Sequence, residues 1–483
     1  MLEDIIRERK IKRQNIASKL KTAYPARAFK SHNVGDILGS WQKLKKIKKL
    51  PTLAGRVLGL RRQGGVIFFD LEDSSGKIQG VIKKDDFIEF DFVKDNLDIG
   101  DFITIAGAPF VTKAGQKSIA VERLVFLAKS IRPIPSEFYG LKDPETRFRK
   151  RYLDLLLDRE ARKLFAKKAI FWATIRDFLV EQNYLEVQTP VLEATPGGAE
   201  AEPFSTHHNA LNEDFYLRIS LELPLKRLLV AGFERVFEIG RIFRNEGLSA
   251  EHLQDYTQME MYGAYEDYHS LMKLTERLYR KIVKALTGKL ATTRDANKID
   301  WGGKWQIYDY YELLKKHGGV ELASISDGEL LNKAKSLKLV GLKPGMGRGR
   351  LIDLIFKNAV RPKLIQPGFL INPPVEIEPL AKRLESDPSR VERFQIVAGG
   401  TELGKGFSEL NDPIDQRERF EAQMELRAAG DKEAQMIDED YLEAMEYGMP
   451  PTGGFGLSER LFSFIMDLPI RETTLFPLMR KKQ

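Results

Sequence analysis

The stretch Phe243–Tyr262, FRNEGLSAEHLQDYTQMEMY, begins with Arg244 and Glu246, crosses a polar loop and ends with Gln258, Glu260 and Tyr262 alternating with apolar neighbours. That alternation puts the last three side chains on one face of a strand. An arginine at one base of a hairpin suits an anion, and a glutamate beside a tyrosine at the other suits a cation. A second stretch, GGTELGKGFSELND (399–412), carries Glu402 and Glu409. Two converging carboxylates would suit Mg²⁺ on a nucleotide's phosphates. Their odd spacing need not put both on one face of a strand, and the intervening GKGF is a place for a bulge that re-aims one of them. In the third, GGFGLSERLFSF (453–464), a glycine-rich run enters a helix carrying Arg460. Any one of these alone is most often an ordinary ion pair. All three in one domain make a candidate site of arginines and carboxylates with no nucleophile.

Other chemistries find no support. GMGRGR (345–350) lacks the GK[ST] ending of a phosphate loop and reads as a basic loop. GGFG (453–456) does not open a βαβ unit. His207 and His208 lack metal-ligand spacing. The chain has no cysteine, which excludes disulfides, thiolate zinc sites and thiol nucleophiles. No GxSxG or HExxH motif occurs.

At 483 residues the chain is too long for one ordinary core. Apolar residues make up 42% and charged residues 30%, as in globular proteins. The N-terminus carries charges where a signal peptide needs an apolar run, and no stretch is long and apolar enough to span a bilayer, so a cytoplasmic location is expected. Residues 1–50 form a basic helical arm, reading equally as a polyanion-binding element or a solvated helix face. Five short β-branched or aromatic runs between 51 and 130 predict a small barrel. Its Phe68, Phe69 and Gln79 are candidates to stack on and read single-stranded bases, although alternation must turn one phenylalanine inward. Residues 131–158 read as a linker. From 159 to 483 amphipathic helices alternate with strands, with a helical insertion at about 287–366.

FRNE, the SERL arginine and the proline of YLEVQTPVL resemble motifs 2, 3 and 1 of class II aminoacyl-tRNA synthetases. PGGAEAEPFSTHHNAL, LELPLKRLLVAGFERVFEIGRIFRNEG, GFSELNDPIDQRERF and DEDYLEAMEYGMPPTGGFG resemble the lysyl-tRNA synthetases in particular, over nearly the whole chain. The resemblance implies an α+β fold: an antiparallel-sheet catalytic domain flanked by helices, with an N-terminal OB-fold barrel that binds the anticodon through Arg61, Phe68 and Gln79. It implies a homodimer packed partly through the segment around Pro190, with ATP, L-lysine and tRNA(Lys) as partners, Mg²⁺ as cofactor and no membrane.

By the same resemblance Arg244 and Arg460 are catalytic. Arg244 grips the α-phosphate and the lysine carboxylate, Glu246 meets the adenine amino group and His252 faces the outer phosphates. Tyr256 and Arg460 sandwich the adenine. Gly198, Glu222 and Glu260 hold the α-ammonium, while Tyr262 and Glu409 hold the side-chain ammonium. Lys405 stands where the family has an asparagine near the lysine carboxylate. Glu402, Glu409 and Gln395 are the metal positions, Gln395 replacing a glutamate. Glu251 replaces a phosphate-facing arginine, and the glycine-rich run is one residue short. Two alternatives are a relative that attaches lysine to a protein, which would lack the barrel, and a non-enzymatic nucleic-acid-binding protein, which would not need the arginine and glutamate set.

Overall fold

A computed structural model describes residues 2–44, 50–135, 143–247, 253–339, 341–343 and 346–481. The chain divides into two compact units, Met1–Pro144 and Glu145–Gln483.

In the first unit five strands close into a barrel: β1 (Thr52–Gln63), β2 (Val66–Asp73), β3 (Gly76–Lys83), β4 (Phe102–Val111) and β5 (Lys117–Ala128), in the order β1-β2-β3-β5-β4. The β3–β5 pairing is parallel, with Gln79 opposite Ser118. Alternation along β2 resolves the phenylalanine pair. Phe69 lies in the core at 1% exposure, its ring filling the space above Gly80, and Phe68 faces outward, half-buried. Arg61 is exposed and pairs across the strands with Phe68. Gln79 is on Phe68's face of the sheet but is 4% exposed, its amide oxygen accepting from the Ser118 hydroxyl at 3.0 Å. The reading of Gln79 as an exposed glutamine is therefore corrected.

The N-terminal helix α1 (Leu2–Leu20) packs on the barrel through Ile16. Two of its basic residues point inward: Arg9 donates to the carbonyl oxygens of Ser130 and Ile99, and Lys12 pairs with Asp98 at 2.9 Å. Arg7, Lys10 and Arg13 remain exposed as a basic face. Residues 45–49 of the second basic run lie outside the described residues.

The second unit is built on an eight-stranded sheet. Its strands are β6 (Leu185–Glu186), β7 (Arg235–Phe243), β8 (Asp255–Ala264), β9 (Gln306–Asp309), β10 (Gly368–Ile371), β11 (Arg393–Ala398), β12 (Thr401–Ser408) and β13 (Thr452–Ser458). They lie in the order β9-β10-β11-β12-β13-β8-β7-β6. Only the two edge pairings are parallel, so the sheet that frames the site is antiparallel. One face is apolar. Met259 and Met261 of β8, Phe455 and Leu457 of β13 and Phe394 of β11 pack with α2 (Arg159–Glu181) and the later helix Tyr268–Thr287 in one core. Both helices present apolar residues at helical spacing, for example Phe171, Ile175 and Phe178 of α2. Because side chains alternate, every second residue of the same strands is left for the opposite face, where the polar residues stand.

Within 287–366, residues 291–300 form a hairpin and 306–309 form edge strand β9; helical segments between Tyr310 and Lys363 then enclose a separate apolar cluster. The arginines of the GMGRGR run are tied into ion pairs, Arg348 to Asp327 at 2.8 Å and Arg350 to Glu200 at 3.1 Å. His207 and His208 are exposed, as expected of surface histidines.

Candidate active site

The register of the sheet assembles the site in two adjacent rows. In the first, Glu260 of β8 is opposite Gly456 of β13, which is opposite Lys405 of β12, which is opposite Gln395 of β11. In the second, Tyr262 is opposite Gly454, which is opposite Phe407. The central strand thus contributes glycines where its neighbours contribute large or charged side chains.

The two glycines are not equivalent. A Cβ on Gly454 would fall 2.0 Å from Oε1 of Glu409 and 2.4 Å from the Tyr262 ring. On Gly456 the nearest atom would be the Glu260 Cγ at 3.4 Å, an ordinary contact. Gly454→Ala is accordingly expected to cost about 1–3 kcal/mol by overpacking, and Gly456→Ala much less. Thermal melts of both variants check this; equal melting temperatures would contradict the packing at Gly454.

Glu402 reaches the polar face through a bulge. The β11–β12 register shifts between Ile396 and Val397, so Leu403 is the extra residue, just ahead of GKGF. Leu403 turns into the helix-side core, and Glu402 shares the face of Lys405 despite its odd spacing from Glu409. Burial alone would raise the Glu402 carboxyl, but Arg393, Arg460, Lys357 and Lys405 outweigh it and hold the group below the usual carboxylate range. It is an ionised acid among cations.

A pocket of buried acids lies at the other end. Glu260, 2% exposed, accepts from the Ser220 hydroxyl at 2.8 Å, the Leu221 amide at 3.1 Å, the Gln258 amide at 2.5 Å and the Tyr262 hydroxyl at 2.8 Å. Tyr262 thus serves Glu260 rather than Glu409. Burial, with Glu222, Glu260 and Glu409 nearby, pushes its hydroxyl far up, so it stays protonated and donates. Glu222 begins helix α3 (Glu222–Val230). Gly198, at φ +79°, lies directly over it: a Cβ there would be 2.8 Å from the Glu222 Cβ and 3.0 Å from that of Ser220. Both the left-handed backbone and the close approach require glycine.

Glu409 is 1% exposed; its Oε2 pairs with Lys226 and its Oε1 has no hydrogen-bond partner. Burial raises the carboxyls of Glu222 and Glu409, with Lys226 opposing in both. An under-served buried carboxylate such as Glu409 favours a cationic ligand.

At the opposite end, the Arg244 guanidinium lies 5.8 Å from the centre of the Tyr256 ring, and both Arg244 and Arg460 act electrostatically on the Tyr256 hydroxyl. The Arg244 Nε donates to the Ile219 carbonyl at 3.2 Å and its backbone amide to that of Gln254 at 2.8 Å. Neither arginine forms an ion pair among the described residues, so both charges are available to an anion. Glu246 is half-buried beside the same hairpin. His252 and Glu251 lie outside the described residues.

The family model described as "tRNA synthetases class II (D, K and N)" matches residues 143–480, and that described as "OB-fold nucleic acid binding domain" matches 52–127. A lysine–tRNA ligase of Moorella thermoacetica is 45% identical over 434 residues, covering 89% of each chain. One of Roseiflexus castenholzii is 42% identical over 490 residues and the full length of both, and one of Gloeobacter violaceus is 42% identical over 99% of this chain and 98% of its own. The chain belongs to the class II lysyl-tRNA synthetases.

Several residues of this synthetase's site were not among those expected from its sequence. Lys405 pairs with buried Glu378 at 3.0 Å, and Arg393 joins the same acid at 3.3 Å. Lys226 lies between Glu222 and Glu409, 2.6 Å from the former. Its i,i+4 spacing from Glu222 was the available signal. Ser220 had none, being a loop residue with no periodicity around it.

Proposed function

We propose that the protein activates L-lysine with ATP to form lysyl-adenylate and pyrophosphate, then transfers the lysyl group to the 3′ end of tRNA(Lys). In the first step a lysine carboxylate oxygen bonds to the α-phosphorus and the bond to pyrophosphate breaks. In the second a ribose hydroxyl attacks the lysyl carbonyl and AMP leaves. Positioning and charge neutralisation supply the rate, which is why a site without a nucleophile suffices.

The observation that carries this reading is the acid pocket. Glu222, Glu260 and Glu409 are all under 5% exposed, and Oε1 of Glu409 is open to a donor while Oε2 meets Lys226. Lysine brings two ammonium groups to such a pocket. A side chain without a cation would leave Oε1 of Glu409 unpaired, at a cost of about 1–3 kcal/mol. Gly198 and Glu222 suit the α-ammonium with Glu260, and Glu409 suits the side-chain ammonium. Arg244 then faces the lysine carboxylate and α-phosphate, Glu246 the adenine amino group, and Tyr256 and Arg460 the adenine ring. His252 is assigned to the outer phosphates and Lys405 to the carboxylate end.

The family's ATP chemistry calls on Mg²⁺. Glu402 fits it as an ionised oxygen donor, and the Gln395 amide on the same face fits as a neutral one. Among the described residues no three acid or histidine side chains gather as a metal cluster, so ATP's phosphates must complete the coordination. Glu409, committed to Lys226, fits the metal less well. Bound Mg²⁺ would neutralise phosphate charge and favour attack at the α-phosphorus.

The barrel supports tRNA as the acceptor over a protein, with Arg61 and Phe68 at the anticodon. Phe69→Ala is expected to destabilise the barrel by about 3–5 kcal/mol. Phe68→Ala should melt like the wild type, leave lysine–ATP exchange intact and lower tRNA charging about tenfold, since stacking on a base contributes roughly 1–3 kcal/mol. A Phe68→Ala variant that melts as early as Phe69→Ala would show a packing role instead. Ile170 and Val180 of α2 are exposed, as are Leu185, Val191 and Leu192 near Pro190 in the sequence, and they support a homodimer through that segment. No helix among the described residues is long and apolar enough to cross a membrane; a tRNA substrate supports a cytoplasmic location. Charging of tRNA(Lys) transcript with radiolabelled lysine tests the function; no charging, alongside lysine-dependent exchange, would limit it to activation.

A further inference from the structure

Lys226 lies one turn along α3 from Glu222, and its side chain is wholly buried. Its ammonium is 2.6 Å from Oε1 of Glu222 and lies against Oε2 of Glu409. The rings of Phe407 and Tyr262 are 5.4 and 6.0 Å away. A buried ion pair that served the fold alone would be completed by further hydrogen bonds. This one is not, because Oε2 of Glu409 meets Lys226 while Oε1, lying directly over Gly454, has no hydrogen-bond partner.

The charges of the pocket are also informative. With lysine bound, Glu222, Glu260 and Glu409 would carry three formal negative charges against one positive charge on Lys226. The remainder equals the two ammonium groups of lysine. Without Lys226 the pocket would be one acid in excess, and a dication could not balance it.

We propose that Lys226 is a positioning residue for amino-acid selection: it holds Glu222 and Glu409 in place, and leaves Oε1 of Glu409 as the acceptor for the substrate's terminal ammonium. This rests on the reading that the site takes lysine. Lys226 acts through the two acids and touches neither ATP nor the reacting atoms.

The test is lysine-dependent ATP–pyrophosphate exchange on the full chain, with Michaelis constants for lysine and ATP measured for wild type, Lys226→Met and Lys226→Arg. Lys226→Met is expected to raise the lysine constant about tenfold or more while the ATP constant stays within about twofold. Lys226→Arg keeps the charge but displaces it, and is expected to give a smaller rise, about threefold. An unchanged lysine constant in Lys226→Met, or a parallel rise in both, would overturn the proposal. If Lys226→Met does not fold by circular dichroism, Lys226→Arg decides, and an unchanged lysine constant there overturns it. A wild type without lysine-dependent exchange would instead remove the functional reading on which the proposal stands.

Discussion

Arg244→Ala is expected to lower the rate of lysyl-adenylate formation by about three orders of magnitude while leaving the melting temperature near that of the wild type. Negative charge builds on the α-phosphate as the lysine carboxylate attacks, and removing one preorganised donor at such a centre costs about 10²–10³ in rate. A guanidinium presents two parallel donors and a full charge, which argues for the upper end. The geometry keeps it ready: Arg244 follows β7 directly, its Nε is held by the Ile219 carbonyl, and no carboxylate among the described residues pairs with it. Its removal therefore leaves no buried acid behind, so the fold should tolerate the change. Single-turnover adenylate formation at saturating ATP and lysine measures the effect. A loss under tenfold would mean that the α-phosphate lies elsewhere.

Glu409→Gln should act on the amino acid instead. The lysine Michaelis constant is expected to rise about a hundredfold, with the ATP constant within about twofold. Removing one partner of a buried charge pair costs about 3–5 kcal/mol, and each 1.4 kcal/mol is a factor of ten. Part of that cost falls on Lys226, which keeps only Glu222, so the variant should also melt earlier. Steady-state exchange at varied lysine and varied ATP separates the possibilities. If the two constants rise together, Glu409 belongs mainly to the metal and phosphate end.

Those parts of the site that obey strand periodicity were legible in the sequence. Gln258, Glu260 and Tyr262 share a face because a strand alternates with period two, and the register confirms that Gly454 and Gly456 lie opposite two of them. The barrel was legible from its β-branched runs, and alternation required that one of Phe68 and Phe69 turn inward, without saying which. Four features were not legible. A bulge is a local insertion that composition does not announce, so the side to which Glu402 turned depended on where the extra residue fell. Lys226 lies on an amphipathic helix, where lysine ordinarily faces water. Glu378 lies at the end of a short turn with no repeating pattern, and only the fold brings it to Lys405 and Arg393. Gln79 looked free to read a base, but its outward strand position is covered and its amide oxygen is engaged by Ser118.

The Lys405–Glu378 pair bears on the role proposed for Lys405 at the carboxylate end. A lysine near the substrate carboxylate would add a full charge, yet buried Glu378 is shared by Lys405 and Arg393. Burial lowers the Lys405 ammonium, but Glu378 and Glu222 outweigh it and hold it above its ordinary value. Lys405 therefore stays a cation, with Glu378 and the ionised Glu402 both drawing on its charge.

The central claim is that a pocket of three buried acids selects lysine for adenylation by ATP. Amino-acid-dependent ATP–pyrophosphate exchange, run with each of the twenty amino acids in turn, tests it most directly. Strong exchange with lysine alone is the predicted result. Strong exchange with aspartate or asparagine, and none with lysine, would contradict it.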